Sequence, residues 1–231
     1  MGKLMKLDLK KLELRSVNQK LQNLDKTQSE KDFTISNPAG CHALCVGLQD
    51  KIDVIINGHV GYYCAGMNKN ANITINGNAG TGVAENMMSG IVHVTGSASQ
   101  SAGATAHGGL LIIDGNASSR CGISMKGADI VVKGSVGHMS AFMAQSGTLL
   151  ICGDAGHALG DSLYETDIYV KGNVKSLGVD CIEKKIEDKH INKILKLIKS
   201  GKIKDAKPEQ FKRFGSARKL YNFNIDNVSE Y

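Results

Sequence analysis

The chain has 231 residues, 28 Lys and Arg against 22 Asp and Glu for a net charge of +6, and six cysteines. Five Phe, six Tyr and no Trp leave no aromatic platform for stacking bases, and the lysines sit at the two ends instead of forming one basic face, so nucleic-acid binding is disfavoured. No window approaches the roughly 20 apolar residues of a membrane span, and residues 1 to 15 lack the apolar run and cleavage site of a signal peptide. A soluble, cytoplasmic protein is the expectation.

Along the chain, residues 14 to 24 (LRSVNQKLQNL) place Leu14, Val17, Leu21 and Leu24 three and four apart, which predicts a short amphipathic helix. DFTIS then begins a strand. Residues 1–34 are read as an N-terminal strand and helix cap, residues 35–182 as the main body, and residues 183–231 as a C-terminal helix and docking tail.

The main body is periodic. Gly58, Gly77, Gly96, Gly115, Gly134, Gly153 and Gly172 stand 19 residues apart, the signature of a solenoid with one coil per repeat. Two apolar columns precede each glycine: Val54, Ile73, Val92, Leu111, Ile130, Leu149 and Ile168 four residues before it, and Ile56, Ile75, Val94, Ile113, Val132, Ile151 and Val170 two residues before it. The residues between are polar or mixed, so the local period is two and the segment is a strand with one buried face. A polar column (His59, Asn78, Ser97, Asn116, Ser135, Asp154, Asn173) and a small apolar one follow the glycine. The glycine itself is read as a corner residue with backbone angles that a Cβ would forbid. A second small column, Ala65, Ala84, Gly103, Gly122, Ala141 and Gly160, implies a narrow interior.

Nineteen residues suit three short strands and three corners. The predicted fold is therefore all-β, a right-handed parallel β-helix of about seven to eight coils, about 4.8 Å apart, with a degenerate first coil beginning near Ile35. Cys45, Cys64 and Cys121 are placed in one buried column, and Cys152 on an exposed polar one. No C-x-x-C pair is present, so a metal or iron–sulfur cluster held by this chain alone is not expected. His138 and His157 share a column without a third ligand. Downstream, Ile186, Ile191, Ile194, Leu195, Leu197 and Ile198 have helical spacing and Gly201 is a C-cap candidate. Both helices are read as caps over the ends of the solenoid, where strand edges would otherwise be open, with docking of a partner as the alternative. The last stretch is an aromatic, basic tail suited to lie on another surface.

The runs GHVGYYCAGMNKNANITINGNAGTGVAENMMSG and SAGATAHGGLLIIDGNASSRCGISMKGADIVVKGSVGHMSAFMAQSG, then GDAGHALGDSLYE and FKRFGSARKLYNF, closely resemble the stand-alone GXGXG subunits of the glutamate synthase and N-methylglutamate synthase family. These are similar to the C-terminal β-helix domain of the large glutamate synthase chain. The resemblance spans roughly residues 14 to 223. It implies partners: a class II glutamine amidotransferase subunit that releases ammonia, and an FMN-binding, iron–sulfur glutamate synthase subunit. It implies no cofactor in this chain. Met1-Gly2 does not offer the amidotransferase's N-terminal cysteine, and no FMN-binding or cluster motif is present. The implied role is a non-catalytic scaffold between the two catalytic subunits. A stack of seven to eight coils is suited to act as a stiff strut about 35 Å long at the strand spacing.

No Ser, His and Asp set has the spacing of a nucleophile and its base, and no catalytic residue is assigned. Candidate subunit contacts are varied polar residues that break the uniformity of a structural ladder: Glu85, Asn86, Arg120, Lys126, His138 and Gln145. Met87, with Met88, Met139 and Met143, offers an adaptable apolar contact wherever it is exposed. Asp161 and Tyr164 lie where GDSLYE is expected to interrupt the repeat, and Arg218, Tyr221 and Phe223 lie in the tail. The β-helical subunit of formylmethanofuran dehydrogenase is an alternative that the tail disfavours. A polysaccharide lyase would want clustered carboxylates, and a hexapeptide acyltransferase an 18-residue coil.

Overall fold

The computed structural model describes residues 4–24 and 32–218. Its strands are β1 (Leu4–Asp8), β2 (Asp32–Ser36), β3 (Asp53–Asn57), β4 (Lys69–Asn76), β5 (Ser89–Val94), β6 (Leu110–Ile113), β7 (Lys126–Val132), β8 (Ser146–Ile151), β9 (Asp167–Val170), β10 (Cys181–Lys184) and β11 (Lys212–Ser216). Two helices accompany them, α1 (Leu14–Gln22) and α2 (Asp188–Ser200). Strands β1 to β9 pair in chain order and in parallel, which makes a parallel β-solenoid of about seven turns. Val54, Ile73, Val92, Leu111, Ile130, Leu149 and Ile168 stack in register inside it, as do Ile56 through Val170, all at most 1% exposed.

Only one of the three sides is a continuous sheet. The second is a single column of parallel bridges, Val60, Ala79, Ala98, Ala117, Val136, Ala155 and Val174. The third, expected as a strand, is a run of turns with every second residue left-handed. Tyr63, Ala65 and Met67 have φ of 60°, 58° and 54°, and four coils on Met139, Ala141 and Met143 have 55°, 58° and 52°. A left-handed residue with a Cβ costs about 1–2 kcal/mol, and the compensation is visible in the hydrogen bonds. The N–H of Met139 donates to His157 O on the next coil, that of Ala141 to Cys121 O on the preceding coil, and that of Met143 to Asp161 O on the next, at 2.8–2.9 Å. Because these amides point alternately up and down, the turn-rich side is tied between coils as a sheet would be.

The seven corner glycines serve close approach. Of them only Gly58 has a positive φ, +135°. A Cβ on Gly77 would stand 2.7 Å from both the carbonyl carbon and oxygen of Gly58, so the backbones of successive corners stack with no room for a side chain. Beside them the polar column forms a ladder. His59 Nδ1 accepts from Asn78 N, Asn78 Oδ1 from Ser97 N, Ser97 Oγ from Asn116 N, and so on to Asp154 Oδ1 and Asn173 N, at 2.7–3.1 Å. Each side chain satisfies one backbone donor that the corner would leave unpaired.

The ends depart from the 19-residue spacing. In the first coil Phe33 pairs with Val54 and Ile35 with Ile56, and Cys45 takes the left-handed place of Ala65, its φ being 57°. Leu44, not Cys45, therefore stands in line with Cys64 and Cys121. Helix α1 closes this end with Val17 and Leu21 buried. Asn18 bridges Ala43 O and Cys45 N, and Gln22 donates to Val46 O, all at 2.8 Å. The GDSLYE segment does not interrupt the repeat. Ala158, Gly160 and Ser162 keep the left-handed pattern, and the shortening falls one coil later, where Leu159 bridges Leu177. At this far end β11 pairs antiparallel with both β9 and β10, so a returning strand covers the last parallel edge.

Helix α2 is not an end cap. It lies along the outer face of the sheet, where Ile194, Leu197 and Ile198 pack with Val131, Leu150, Tyr169 and Phe211. Tyr169, Leu150 and Val131 are 0% exposed, whereas Ile55, in the same outward column near the first coil, is 42% exposed. Cys152, expected at the surface, is half-buried against this second cluster. Gly201 follows the helix with φ −73°, and the left-handed turn passes to Lys202 at +52°. A Cβ on Gly201 would sit 3.1 Å from Val131 Cγ1, so this glycine lets the helix end press on the sheet.

Two substitutions separate the two uses of glycine. Gly77→Ala places a methyl against backbone and is expected to destabilise by about 2–3 kcal/mol. Gly40→Ala meets nothing within 4 Å but sits at φ +73°, and is expected to cost about 1 kcal/mol. Chemical denaturation of both variants checks the order.

Candidate functional site

Numbering from each corner glycine shows where the candidate contact residues fall. Arg120 lies five residues after its glycine, His138 four, Glu85 and Asp161 eight, Asn86 nine, and Lys126, Gln145 and Tyr164 eleven. All of these places belong to the turn-rich side or its margin at the start of the next strand. The fold therefore brings Glu85, Asn86, Arg120, Lys126, His138, Gln145, Asp161 and Tyr164 to one long side of the solenoid, spread over the coils that begin at Gly77 and Gly115 through Gly153. Arg120, Lys126 and His138 are exposed, and the other five are half-buried.

Met87 is different. It is 0% exposed and fills the core beneath this side, because an inward place on the coil needs an apolar residue there. Its neighbours in the run do reach the surface: Met88 is 46% and Met143 43% exposed. Arg218 stands apart at the C-terminal end, where its guanidinium binds Asp180, with Nε at 2.7 Å from Oδ2. Tyr221 and Phe223 lie outside the described residues.

Several surface residues on the turn-rich side were not singled out by the sequence reading. Ile123 and Phe142 stand eight residues after their glycines on neighbouring coils, half-exposed, and Met67 is 46% exposed. At the N-terminal end Tyr62, 60% exposed, stacks on His42 with ring centroids 4.5 Å apart. The signal was available in the register. Places eight and nine after the glycine lie between two inward columns, so a large apolar residue there, such as Ile123, Phe142 or Met143, reaches the surface.

The polar contacts on this side are local. Asn86 Oδ1 accepts from Thr105 Oγ1 at 2.6 Å and Asp161 Oδ1 from Ser162 Oγ at 2.8 Å. Among the described residues no group of three or more His, Cys, Asp or Glu could hold a metal ion. The interior thiols are poor nucleophiles. Burial away from water disfavours the thiolate, pushing Cys121 up to about 12 and raising Cys64 and Cys45 as well. Cys181 is also pushed up to about 12, by burial and then by the Asp161 carboxylate.

One partly buried titratable cluster holds the α2 arm to the body. Asp167 Oδ1 accepts from Arg213 Nε at 2.7 Å, and its Oδ2 lies 3.9 Å from His190 Nε2. His190 Nδ1 accepts from the backbone N–H of Glu187 at 2.9 Å, part of the capping box that starts α2.

A curated protein shares this arrangement at the level of sequence. The chain is 57% identical over 225 residues to Protein GlxC of Rhizobium meliloti (strain 1021), covering 97% of this chain and 99% of that one. The chain belongs to the GlxC family. The match runs through both ends as well as the coils, so the whole plan of this GlxC-family chain, closures and α2 arm included, lies within it. No protein-family model matches the chain.

Burial, first, and then the nearby Arg213 guanidinium lower the pKa of His190, so the folded state favours the neutral ring. The neutral ring's contribution to stability is fully present above the ordinary histidine pKa of about 6.5. It is lost as pH falls through that value towards the lower folded one, because the unfolded chain binds the extra proton. Protonation would also place a hydrogen on Nδ1, where Glu187 N–H now donates. Thermal melts from pH 8 to 5 are expected to show a drop that His190→Gln, which preserves an acceptor for the cap, reduces.

Proposed function

We propose that this chain is a non-catalytic structural subunit of a glutamate synthase-type complex. In this reading it joins a class II glutamine amidotransferase subunit to an FMN- and iron–sulfur-bearing synthase subunit, with the cofactors held by the partner. The observation that carries the reading is the contrast between two outer faces of one rigid body. The apolar outer face of the sheet is covered by the chain's own helix. The turn-rich side carries exposed Met67, Met88 and Met143. A side so built is suited to contact another protein.

Two further arguments support the reading. The resemblance of the corner and tail sequences to GXGXG subunits implies the same division of labour, in which chemistry resides on other chains. A solenoid hydrogen-bonded between coils along its whole length is also mechanically suited to hold two enzymes at fixed separation, as transfer of ammonia between them requires. The N-methylglutamate synthase version of the complex uses the same scaffold with methylamine as the nitrogen substrate, and the identity of the partners distinguishes the two.

Tagged protein recovered from its native cells is expected to bring down an amidotransferase-like chain and a yellow-brown chain with flavin absorbance, both identified by mass spectrometry. Recovery of the colourless chain alone, under conditions that preserve multi-subunit complexes, would overturn the reading.

A further inference from the structure

We propose that the segment after Arg218, residues 219–231 of this same chain, is the occupant of the C-terminal half of the turn-rich side, with Tyr221, Phe223 and Ile225 seated on Ile123, Phe142 and Met143. The inference goes beyond the scaffold reading and does not rest on it. It assigns a cover to one half of the side and leaves Met67 and Met88, in the other half, to a partner.

The seat is built by the repeat. Ile123 and Phe142 occupy the same place on neighbouring coils and are half-buried, and Met143 beside Phe142 is 43% exposed. Neighbouring coils lie about 4.8 Å apart, so the three form one patch. Past Asp161, which holds that place on the next coil, Val179 is 62% exposed, and its carbonyl accepts from Ser162 N at 2.9 Å. The chain is delivered to the edge of this surface. Strand β11 runs antiparallel to β9 towards the turn-rich side. There Ala217 N donates to Asp180 O at 2.8 Å, and the Arg218 guanidinium is fixed on the Asp180 carboxylate. Ser216 and Arg218 line a small cleft with Tyr164 and Glu165, so residue 219 starts beside the coil that carries Asp161.

The segment matches the surface in pattern and in charge. Tyr221, Phe223 and Ile225 alternate with Asn222, Asn224 and Asp226, the period of an extended segment with one apolar face. On the coils beginning with Gly115, Gly134 and Gly153, the charge of the turn-rich side changes sign along the axis. The cations Arg120 and Lys126 lie on the first of these coils, His138 on the second, and His157 with the carboxylates Asp161 and exposed Glu165 on the third, nearest the exit. The segment is graded the other way, with Lys219 at its start and Asp226 and Glu230 further on. Laid from the exit towards the Gly115 coil, it brings Lys219 to Asp161 and Glu165, and its own carboxylates towards Arg120 and Lys126, which sets direction and register. The length suffices. From Lys219 to Asp226 an extended chain spans about 23 Å at about 3.3 Å per residue, against about 10 Å for two coil spacings, enough to cross the side obliquely. Tethering at Arg218 presents the segment at an effective concentration on the order of millimolar, so a modest apolar contact holds it.

The test uses the purified full-length chain. A photo-crosslinking benzoyl-phenylalanine in place of Phe223 is expected to capture a peptide carrying Ile123 or Phe142 within one chain, recovered at the mass of the monomer. In parallel, dilute hydrogen peroxide followed by peptide mass spectrometry is expected to oxidise Met143 at least about fivefold more slowly in the full chain than in one ending at Arg218, because oxidation follows exposure. Met67 and Met88 are expected to react alike in both. The Tyr221→Ser, Phe223→Ser, Ile225→Ser variant, which keeps the full length, is expected to release Met143 as the truncation does, with an unchanged circular dichroism spectrum showing that the body is intact. Capture only of a second copy, capture of a peptide outside these coils, no cross-link, or Met143 reactivity that neither variant alters would each overturn the proposal. If the Phe223 probe captures only an amidotransferase-like or flavin chain in the co-expressed complex, this inference fails and the scaffold reading stands. If it captures its own chain and no partner is recovered, the scaffold reading fails and this inference stands.

Discussion

Every part of this protein depends on the backbone hydrogen-bond ladder that holds each coil to the next in register. Because the coils stack atom over atom, each backbone group faces its own counterpart one turn away, and a side chain that fits once must fit in every coil. The inner columns are accordingly uniform: β-branched and Leu residues under the sheet, Ala and Val along the bridge column, Ala and Gly at the narrow side. The corner glycines follow from the same constraint, since carbonyl on carbonyl at the corner leaves no space for a Cβ. The polar ladder from His59 to Asn173 completes it by supplying acceptors to amides that the corner turns out of the sheet.

That constraint also explains why a solenoid with only one regular sheet is stiff on all sides. The left-handed residues of the turn-rich side are individually unfavourable, yet along the body of the solenoid they donate their amides to neighbouring coils, and in the first coil Cys45 donates to Asn18 of α1. Repetition offsets the local cost: a bend that would be strained in isolation is held by identical bends above and below. The side chains on the outside of these turns are freed from the column rule, and this is where Arg120, Lys126, His138, Phe142 and Met143 differ from one coil to the next. Variation is tolerated there because nothing in the ladder depends on those side chains.

The two outer faces answer the same need differently. Val131, Leu150 and Tyr169 would be an exposed apolar stripe on the sheet, and α2 buries them, assisted by the Lys193–Asp129 and Arg213–Asp167 pairs. On the turn-rich side the apolar residues have no such cover among the described residues. Membership of the GlxC family places that body, ends included, within a shared plan.

The sequence by itself determined the period, the corner positions, the inward columns and the burial of Cys64 and Cys121, because a uniform repeat forces a uniform environment at each place and that environment is written in residue size and polarity. It placed α1 at the N-terminal end for the same reason: its apolar stripe has only the open end of the tube to cover. Tertiary structure decided what the period cannot encode. Amphipathicity alone cannot say which surface a helix meets, so α2 was legible as a helix but not as a cover for the sheet. The turn-rich side was legible as small and narrow but not as left-handed, because Ala65, Ala84 and Ala141 give no sign in sequence of φ near +57°. The one-residue slip of Cys45 and the burial of Met87 depended on how the irregular first coil and the inward face of the turns settled against their neighbours. The candidate contact residues were visible as departures from the repeat, but only the stacking of coils set them on one side, since residues 19 apart in sequence become neighbours solely through the hydrogen bonds between turns.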